Sequence, residues 1–552
     1  MKRVVEGHGT VTRVRKLRFI TVALFVIAIA SSAPIAGTSS VGIDIAAKRG
    51  VTVPRYGVFS HSIRAQTPEN PWDAVKLDVT LRSPSDKRIT IGGFYTGQSI
   101  WSFRFAPAEL GAWSWSARFR GFEKTRTSRG TFTVVRSDSP GFVRESRFNA
   151  ARWIFSDGTP YYPIGINDCT TAAFGRGPLN QWSIEGGFRQ AGDHGASEVV
   201  SMAEYMRAYG QAFDLFRWGP DNCSFPLYET IAPSGNSYSL IGGRMADRLF
   251  QGLRRHGFRI EMVLFGNRPP FADSDLDSGQ RAALQRYLRY VVNRYGAYVD
   301  YWELMNEARA TTTWYDTALR YLRSIDPYRH PIGTNFSRPD LDGIDFGADH
   351  WYESERPVDS DKRTWEVIRG SSARKFGKPV LIDEQGNIGQ NWDPTSAERL
   401  RIRSWTSFFA EGTLVFWNAS FAKDYINKDA AANVYIGRIE RGYLRTLKRF
   451  TSRFDVRAKV VAPVITGQGV RGYGLVGPAD AALYLVSSDR TRPKTGVLVT
   501  VPIQRGGIGK WIAPRSGRVL SSLRVQTGQQ TLRVPAFNVD VAFKLTRQVD
   551  AG

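Results

Sequence analysis

Residues 258–305 contain, in order, the apolar run FRIEMVLF (258–265), the amphipathic run SGQRAALQRYLRYVVNRYG (278–296) and the apolar run VDYWELM (299–305). Short apolar runs rich in aromatic and branched residues are typical of buried strands, whereas apolar residues spaced three and four apart are typical of a helix. The order strand, helix, strand predicts parallel strands joined by a crossover helix.

This alternation continues through the middle of the chain. Further amphipathic patterns occupy residues 245–257 and 396–412. The predicted strands are 161–166, 212–218, 258–265, 299–305, 331–336, 345–351, 379–384 and 412–418. Eight strands with intervening helices predict an α/β fold, a (β/α)8 TIM barrel over residues 138–452. Only a short loop separates the fifth strand from the sixth, so we do not expect a full helix there.

Both flanks of the barrel show a different pattern. Residues 50–137 and 453–548 are rich in short runs with period-two alternation, separated by Gly, Pro, Ser and Asp turns, which predicts an N-terminal and a C-terminal β-sandwich. Trp113, Trp115 and Phe119 fall on one face of their strand, and we expect them in the core.

The N-terminus has the order of a secretory leader. Basic residues precede the apolar run FITVALFVIAIA (19–30), and small residues follow it. We interpret residues 1–36 as a cleaved signal peptide rather than a membrane anchor, because the run is short for a membrane span and is interrupted at Ser31 and Pro34. The mature protein is then expected to be secreted, periplasmic or in the cell envelope, with no membrane partner.

The chain is strongly basic, with a formal charge of +24 and a pI near 10.1. Export argues against nucleic acid as a partner, and the basic residues are mostly arginines spread along the chain. A basic proteome is the ordinary explanation, and attraction to an acidic polysaccharide or an anionic envelope is the sharper one. The cysteines, Cys169 and Cys223, follow the first and second predicted strands, and an exported chain permits a disulfide between them.

In a TIM barrel, functional side chains lie where the strands end. The fourth strand ends in Asn306 and Glu307, and the seventh ends in Glu384. Glycoside hydrolysis needs two carboxyl groups, one to protonate the leaving oxygen and one to attack or to activate water. Glu303 lies inside its strand and is interpreted as structural. Asp383 is expected to point to the opposite side of the strand from Glu384, because side chains alternate along a strand.

These motifs resemble those of the clan A glycoside hydrolases, and most closely the family 5 group that includes cellulases and mannanases. Such enzymes carry W-E-x-x-N-E at the fourth strand and an apolar strand ending in Glu at the seventh, here WELMNE (302–307) and VLIDE (380–384). The remaining strand-end matches are Arg217 at the end of the second strand, His350 and Tyr352 after the sixth, and Trp417 at the end of the eighth. The opening FSDGTPYYPIGIN (155–167) also resembles apiosidase-like barrels, and WIAPRSGRVL (511–520) resembles the module that trails them.

The resemblance implies that Glu307 is the general acid/base and that Glu384 is the nucleophile of a retaining enzyme. The two carboxyl groups are then expected about 5 to 5.5 Å apart. Arg217 and Tyr352 would hydrogen-bond Glu384 and favour its ionised form. Asn306, His350 and Trp417 would contact the sugar.

No metal or other cofactor is expected. DSDLDSG (273–279) lacks the Gly and the Glu that a calcium loop needs, and capping of a helix by Asp277 or Ser278 with Gln280 explains it better. The alternative function is a non-catalytic carbohydrate-binding or envelope-adhesion protein that keeps the barrel. The sugar, the linkage and the oligomeric state are left open.

Overall fold

A computed structural model describes residues 50–67, 70–122, 126–168, 188–191, 197–200, 202–220, 227–228, 237–267, 269–386, 395–418 and 436–546. All of these belong to one unit, Ile43–Gly552. The predicted leader, Cys169 and Cys223 lie outside the described residues. Among the helices within these ranges, none combines the length and the apolarity needed to cross a membrane.

Two sheets precede the barrel and share one apolar cluster. Their strands are β1 (Thr52–Pro54), β2 (Phe59–Arg64), β3 (Lys76–Arg82), β4 (Arg88–Gly92), β5 (Phe94–Gly97), β6 (Ile100–Phe105), β7 (Gly111–Arg120) and β8 (Arg126–Val135), with the short helix α1 (Pro71–Ala74) before β3. The sheet orders are β1-β8-β7-β3-β4 and β2-β6-β5. Trp113, Trp115 and Phe119 are all buried in the shared cluster, as their alternation predicted.

A small antiparallel sheet and a hairpin accompany the barrel strands. The sheet consists of β9 (Val143–Glu145), β10 (Trp153–Phe155) and β11 (Pro160–Tyr161), and β12 (Gly165–Asp168) precedes the hairpin β13 (Phe188–Ala191) and β14 (Ser197–Val200). The other barrel strands are β15 (Leu215–Trp218), β16 (Arg259–Phe265), β17 (Tyr301–Met305), β18 (Ile332–Gly333), β19 (Gly347–Tyr352), β20 (Val380–Gly386) and β21 (Gly412–Asn418).

The helices of this region follow the barrel strands along the chain. They are α2 (Met202–Gly210), α3 (Leu240–Arg255), α4 (Ser278–Tyr295), α5 (Thr312–Ile325), α6 (Ser360–Gly370), α7 (Ser372–Lys375), α8 (Ser396–Phe409) and α9 (Arg438–Thr451). Helix α4 begins as the sequence predicted, because Asp277 accepts from the Gln280 amide at 2.8 Å and Gln280 accepts from the Asp277 amide at 3.1 Å. This reciprocal capping satisfies two backbone donors at the helix start.

The eight strands form one parallel sheet in the order β18-β17-β16-β15-β12-β21-β20-β19. This nearly closed sheet fits the predicted TIM barrel, and each predicted strand overlaps one of its members. As expected, the link from β18 to β19 contains no helix. Asp345 anchors this link, because its amide donates to the Ile332 carbonyl and its carboxylate accepts from the Ile332 amide, both at 2.7 Å.

Two further sheets follow the barrel. Their strands are β22 (Lys459–Val461), β23 (Val464–Thr466), β24 (Val470–Val476), β25 (Ala481–Ser487), β26 (Leu498–Ile503), β27 (Gly507–Ile512), β28 (Val519–Val525), β29 (Gly528–Arg533) and β30 (Asp540–Thr546). The sheet orders are β22-β24-β25-β30-β27-β28 and β23-β26-β29, and both contribute to a separate apolar cluster. Two ion pairs tie them to the barrel: Arg401 of α8 lies 2.9 Å from Asp540 in a buried pair, and the partly exposed Arg471 of β24 lies 2.6 Å from the buried Asp361 of α6.

Candidate active site

The polar residues predicted at the strand ends converge on one end of the barrel. Parallel strands bring their carboxyl ends to the same face, so residues far apart in sequence become neighbours. The converging side chains are those of Arg217, Asn306, Glu307, His350, Tyr352, Glu384 and Trp417.

Glu384 is buried and surrounded by donors. Its Oε1 accepts from Arg217 Nη1 at 2.6 Å and from Asn167 Nδ2 at 3.1 Å, and its Oε2 accepts from the Tyr352 hydroxyl. Hydrogen bonds to the ionised form favour a carboxylate. Burial and then the charge of Glu384 raise the pKa of Tyr352 well above its usual range, so the hydroxyl keeps its proton and acts as a donor.

Arg217 is the central cation of the site. Its Nε and Nη2 donate to the two oxygens of Glu303 at 2.5 and 2.7 Å, and Nη2 also donates to Asn306 Oδ1 at 2.7 Å. Burial works against its charge, but the surrounding carboxylates, with Glu303 first, raise the pKa of Arg217 well above its ordinary value. Glu303 is fully buried against Arg217, which agrees with the structural role predicted for it.

Glu307 is the exposed member of the site. Its side chain is 41% exposed, and His350 Nδ1 lies 2.9 Å from its Oε1. The contact with His350 holds the pKa of Glu307 below its ordinary value. The backbone of Glu307 has a φ of 44°, a left-handed conformation that is strained for a residue with a side chain. Its amide donates to Asn335 Oδ1 at 2.9 Å, which fixes this conformation.

The two glutamates face each other. One carboxylate oxygen of Glu307, one of Glu384 and a ring nitrogen of His350 all lie within 4.8 Å of one another. Trp417 lies at the side of this group, with its ring 6.1 Å from that of Tyr352 and tilted by 59°. Asn306 has two protein partners, since it accepts from Arg217 and donates to Asn267 Oδ1 at 2.6 Å.

The predicted orientation of Asp383 is wrong. Asp383 Oδ2 lies 3.7 Å from Arg217 Nε and Oδ1 lies 3.8 Å from His350 Nε2, so Asp383 faces the same side as Glu384. The reason is a bulge in β20, where the pairing with both neighbouring strands shifts register around Asp383. An extra residue interrupts the alternation of side chains, and two consecutive carboxylates then point inward.

Beneath the site lies a cluster of three fully buried carboxyl groups, Glu261, Glu303 and Asp383, which have oxygens within 4.8 Å of one another. Burial, and then the charge of Glu303, raises the pKa of Glu261 to about 8 and the pKa of Asp383 well above its usual range. Carboxylates of this kind can hold a cation. In this structure Arg217 brings positive charge to the cluster, and the raised pKa values of Glu261 and Asp383 favour their neutral forms.

Sequence reasoning missed several of these side chains. Asn167 directly follows the predicted first strand and lies one residue before the end of β12, so the strand-end rule would have found it. Asn267 follows the third strand by two residues, so the same rule would also have found it. Asn335 acts from the link after β18, and Glu261 was visible only as a carboxylate inside the apolar run FRIEMVLF.

The chain is similar in fold to known proteins. A family model described as a domain of unknown function, DUF5060, matches residues 52–120. No curated protein matches the sequence. A solved structure from Bacteroides vulgatus ATCC 8482, described as a candidate glycoside hydrolase, is 16% identical with a TM-score of 0.61, over 90% of this chain and 100% of that chain.

Two further solved structures have a similar fold. One is described only as a glycoside hydrolase and is 14% identical, with a TM-score of 0.52 over 74% of this chain and 97% of that chain. The other is a family 5 glycoside hydrolase from Bacteroides vulgatus ATCC 8482, 13% identical, with a TM-score of 0.50 over 75% of this chain and 95% of that chain. At these identities the likeness concerns the fold: the chain has a glycoside hydrolase-like fold.

Proposed function

We propose that this protein is a retaining glycoside hydrolase that cleaves O-glycosidic bonds of an oligo- or polysaccharide. The observation that carries the proposal is that one carboxylate oxygen of Glu307 lies within 4.8 Å of one carboxylate oxygen of Glu384. A retaining mechanism needs carboxyl groups about 5 to 5.5 Å apart, whereas an inverting one needs about 6.5 to 9.5 Å to admit a water molecule. The clan A-like arrangement of strand-end residues and the likeness to solved glycoside hydrolases support the same conclusion.

In the first step an oxygen of Glu384 attacks the anomeric carbon, and the bond from that carbon to the leaving oxygen breaks. Glu307 gives its proton to the leaving oxygen, which departs as a hydroxyl. Arg217, Asn167 and Tyr352 direct their hydrogen bonds at Glu384 and hold its carboxyl group in position for the attack. In the second step Glu307 takes a proton from water, water attacks the same carbon, and Glu384 leaves as a carboxylate.

Glu307 must carry a proton when it acts as the acid. In the free protein, the contact with His350 favours its ionised form. A sugar bound over the site would bury the exposed carboxyl group, and burial raises the pKa of an acid. We therefore propose that substrate binding prepares Glu307 for proton donation.

The leader supports an exported enzyme that acts on carbohydrate outside the cytoplasm, and the basic charge supports an acidic polysaccharide as its substrate. The separate apolar clusters before and after the barrel support two β-sandwich domains, residues 50–137 and 453–548, around a barrel domain of residues 138–452. Asn306, His350, Tyr352, Arg217 and Trp417 are proposed to bind the sugar.

The proposal is tested by incubating the protein with a panel of aryl glycosides and polysaccharides and recording fresh product by proton NMR. We expect hydrolysis of at least one substrate, with the anomeric configuration of the first-formed product retained. An inverted product would contradict the assignment of Glu384 as the nucleophile. Binding of a polysaccharide with no hydrolysis of any substrate would favour the non-catalytic alternative.

His350 is expected to influence the pH at which kcat/KM falls. The profile of kcat/KM reports pKa values of the free enzyme, and activity falls at high pH as Glu307 loses its proton. Because His350 lowers the pKa of Glu307, His350→Ala should move this limb of the profile to higher pH. His256→Ala removes a histidine from the end of α3, far along the chain from the site, and should leave the profile unchanged. A limb that stays in place in His350→Ala would contradict the role given to His350.

A further inference from the structure

A cavity of about 250 Å³ lies between the N-terminal sheets and the barrel. One wall comes from α1 and strands β3 to β7, and the other comes from α4 and α5. Asn293 of α4 joins the two walls, because its side chain accepts from the Gly92 amide and donates to the Gly93 carbonyl, both at 3.2 Å. A Cβ atom at Gly92 would lie only 2.1 Å from Asn293 Nδ2, so the two walls are closely packed at this point.

Indole and phenol rings dominate the lining. These are Trp72, Tyr95, Trp101, Tyr238, Tyr290 and Tyr321. Trp72 contacts the rings of Tyr95 and Tyr238 edge-on, with centroids 5.7 and 5.8 Å apart. Tyr238 stacks on Tyr290 at 4.2 Å. These contacts hold the rings in fixed orientations before any ligand arrives.

Three of the lining residues carry a buried polar atom that has no hydrogen-bond partner within the described residues. They are the indole nitrogens of Trp72 and Trp101 and the hydroxyl of Tyr238. An unpaired buried polar group costs free energy, so such atoms usually have a partner. Each of the three atoms has less than 1 Å² of accessible surface, so they lie within the packed walls, and the polar groups that can reach a ligand are the charged side chains of the lining.

The charged lining is basic. Lys76, Arg120, Arg286 and Arg289 line the cavity together with a single acidic residue, Asp78. Arg120 is paired with Asp78 at 2.5 Å, and Arg286 is paired with Asp73 at 2.6 Å. Lys76 and Arg289 have no carboxylate partner in the described part of the chain, and Arg289 donates only to the Tyr321 hydroxyl, at 3.4 Å. The cavity therefore favours an anion.

We propose that this cavity binds one uronate residue of an acidic polysaccharide, apart from the barrel site, and holds the polymer while the barrel acts on it. A sugar ring presents C–H groups to an aromatic face and hydroxyls to side-chain donors, and this lining offers both. A guanidinium group suits a carboxylate because it can donate two parallel hydrogen bonds, and Arg289 has that capacity. The role in polymer cleavage rests on the proposed function, whereas uronate binding does not.

The test measures binding of glucuronate, galacturonate, glucose and galactose by calorimetry to the Glu384→Gln variant, in which turnover is suppressed. We expect both uronates to bind and the neutral sugars to bind at least about tenfold more weakly, with the difference reduced at high salt. Arg289→Ala and Lys76→Ala, each added to Glu384→Gln, should weaken uronate binding at least tenfold. Arg320→Ala removes the same charge from an exposed position of α5 beside Tyr321 and should have no effect.

Lys76 is exposed, so its replacement tests the cavity without disturbing the core, and thermal melting identifies any variant that fails to fold. Uronate binding that is absent, or equal in all variants, would overturn the inference. Glucose binding as tight as that of glucuronate would overturn the requirement for an anion. Hydrolysis of a small aryl glycoside is measured separately and should be the same in Arg289→Ala and wild type, so failure of the barrel chemistry and failure of the cavity are told apart.

Discussion

Replacing Glu384 with glutamine is expected to lower kcat/KM by at least about 10⁴-fold, because the variant has no carboxylate to form the covalent intermediate. The amide keeps the size of the side chain, so the fold should survive. Arg217 and Asn167 can still donate to the amide oxygen, although the negative charge is lost. The measurement is steady-state hydrolysis of the best aryl glycoside, with thermal melting to verify folding.

A variant at Glu307 distinguishes the proposed acid/base role of Glu307 from the proposed nucleophile role of Glu384. Glu307→Ala should lose about 10²- to 10⁴-fold on substrates with poor leaving groups, which need protonation, and less on substrates with activated aryl groups. Added azide needs no general base, so it should restore turnover of Glu307→Ala on the activated substrate and leave Glu384→Gln inactive. Glu366→Gln, at an exposed position of α6, is the matched control and should behave like wild type. Full activity in either site variant would remove the basis of the mechanism.

Replacing Arg217 with methionine is expected to produce the largest loss of stability. Arg217 is the cation that Glu303 and Glu384 share in the barrel interior, at distances of 2.5 and 2.6 Å. Removing one partner of a buried ion pair leaves an uncompensated charge and typically costs about 3 to 5 kcal/mol. Urea denaturation followed by tryptophan fluorescence should show an earlier transition, and activity should fall with the loss of a donor to Glu384.

A second substitution tests whether the unpaired buried charge causes the loss of stability in Arg217→Met. Adding Glu303→Gln to Arg217→Met removes a buried charge that lost its partner and should recover part of the stability, although not the activity. Arg82→Met breaks the exposed pair with Asp86, for which an effect of at most about 1 kcal/mol is expected. Equal stability of Arg217→Met and Arg82→Met would show that the buried network contributes little.

The barrel and the place of its site were predictable because both depend on local patterns. Each buried strand is a short apolar run, each helix has its own period, and the rule that sites lie at strand ends selected Arg217, Glu307 and Glu384. Asp383 was misplaced because a bulge depends on the pairing of β20 with two neighbouring strands, which no local pattern encodes.

The partners of the site residues were harder to predict. Asn335 reaches the strained Glu307 from a loop that has no recognisable motif, and Asn267 meets Asn306 only after two strands have paired. Glu261 could be recognised as unusual, but its closeness to Glu303 and Asp383 depends on closure of the barrel. Contacts between strands therefore remain hidden until the register is known.

The buried carboxyl cluster couples folding to proton uptake. The pKa of Glu261 rises from an ordinary value of 4.5 in the unfolded chain to about 8 in the fold, and that of Asp383 also rises. Between pH 4.5 and about 8, folded Glu261 retains a proton that unfolded Glu261 releases. The contribution of Glu261 to stability is therefore complete below pH 4.5 and is lost as the pH rises through about 8. A mildly acidic surrounding thus favours the barrel core, and alkali weakens it from within, opposite in sign to the acid sensitivity of carboxylates held in salt bridges.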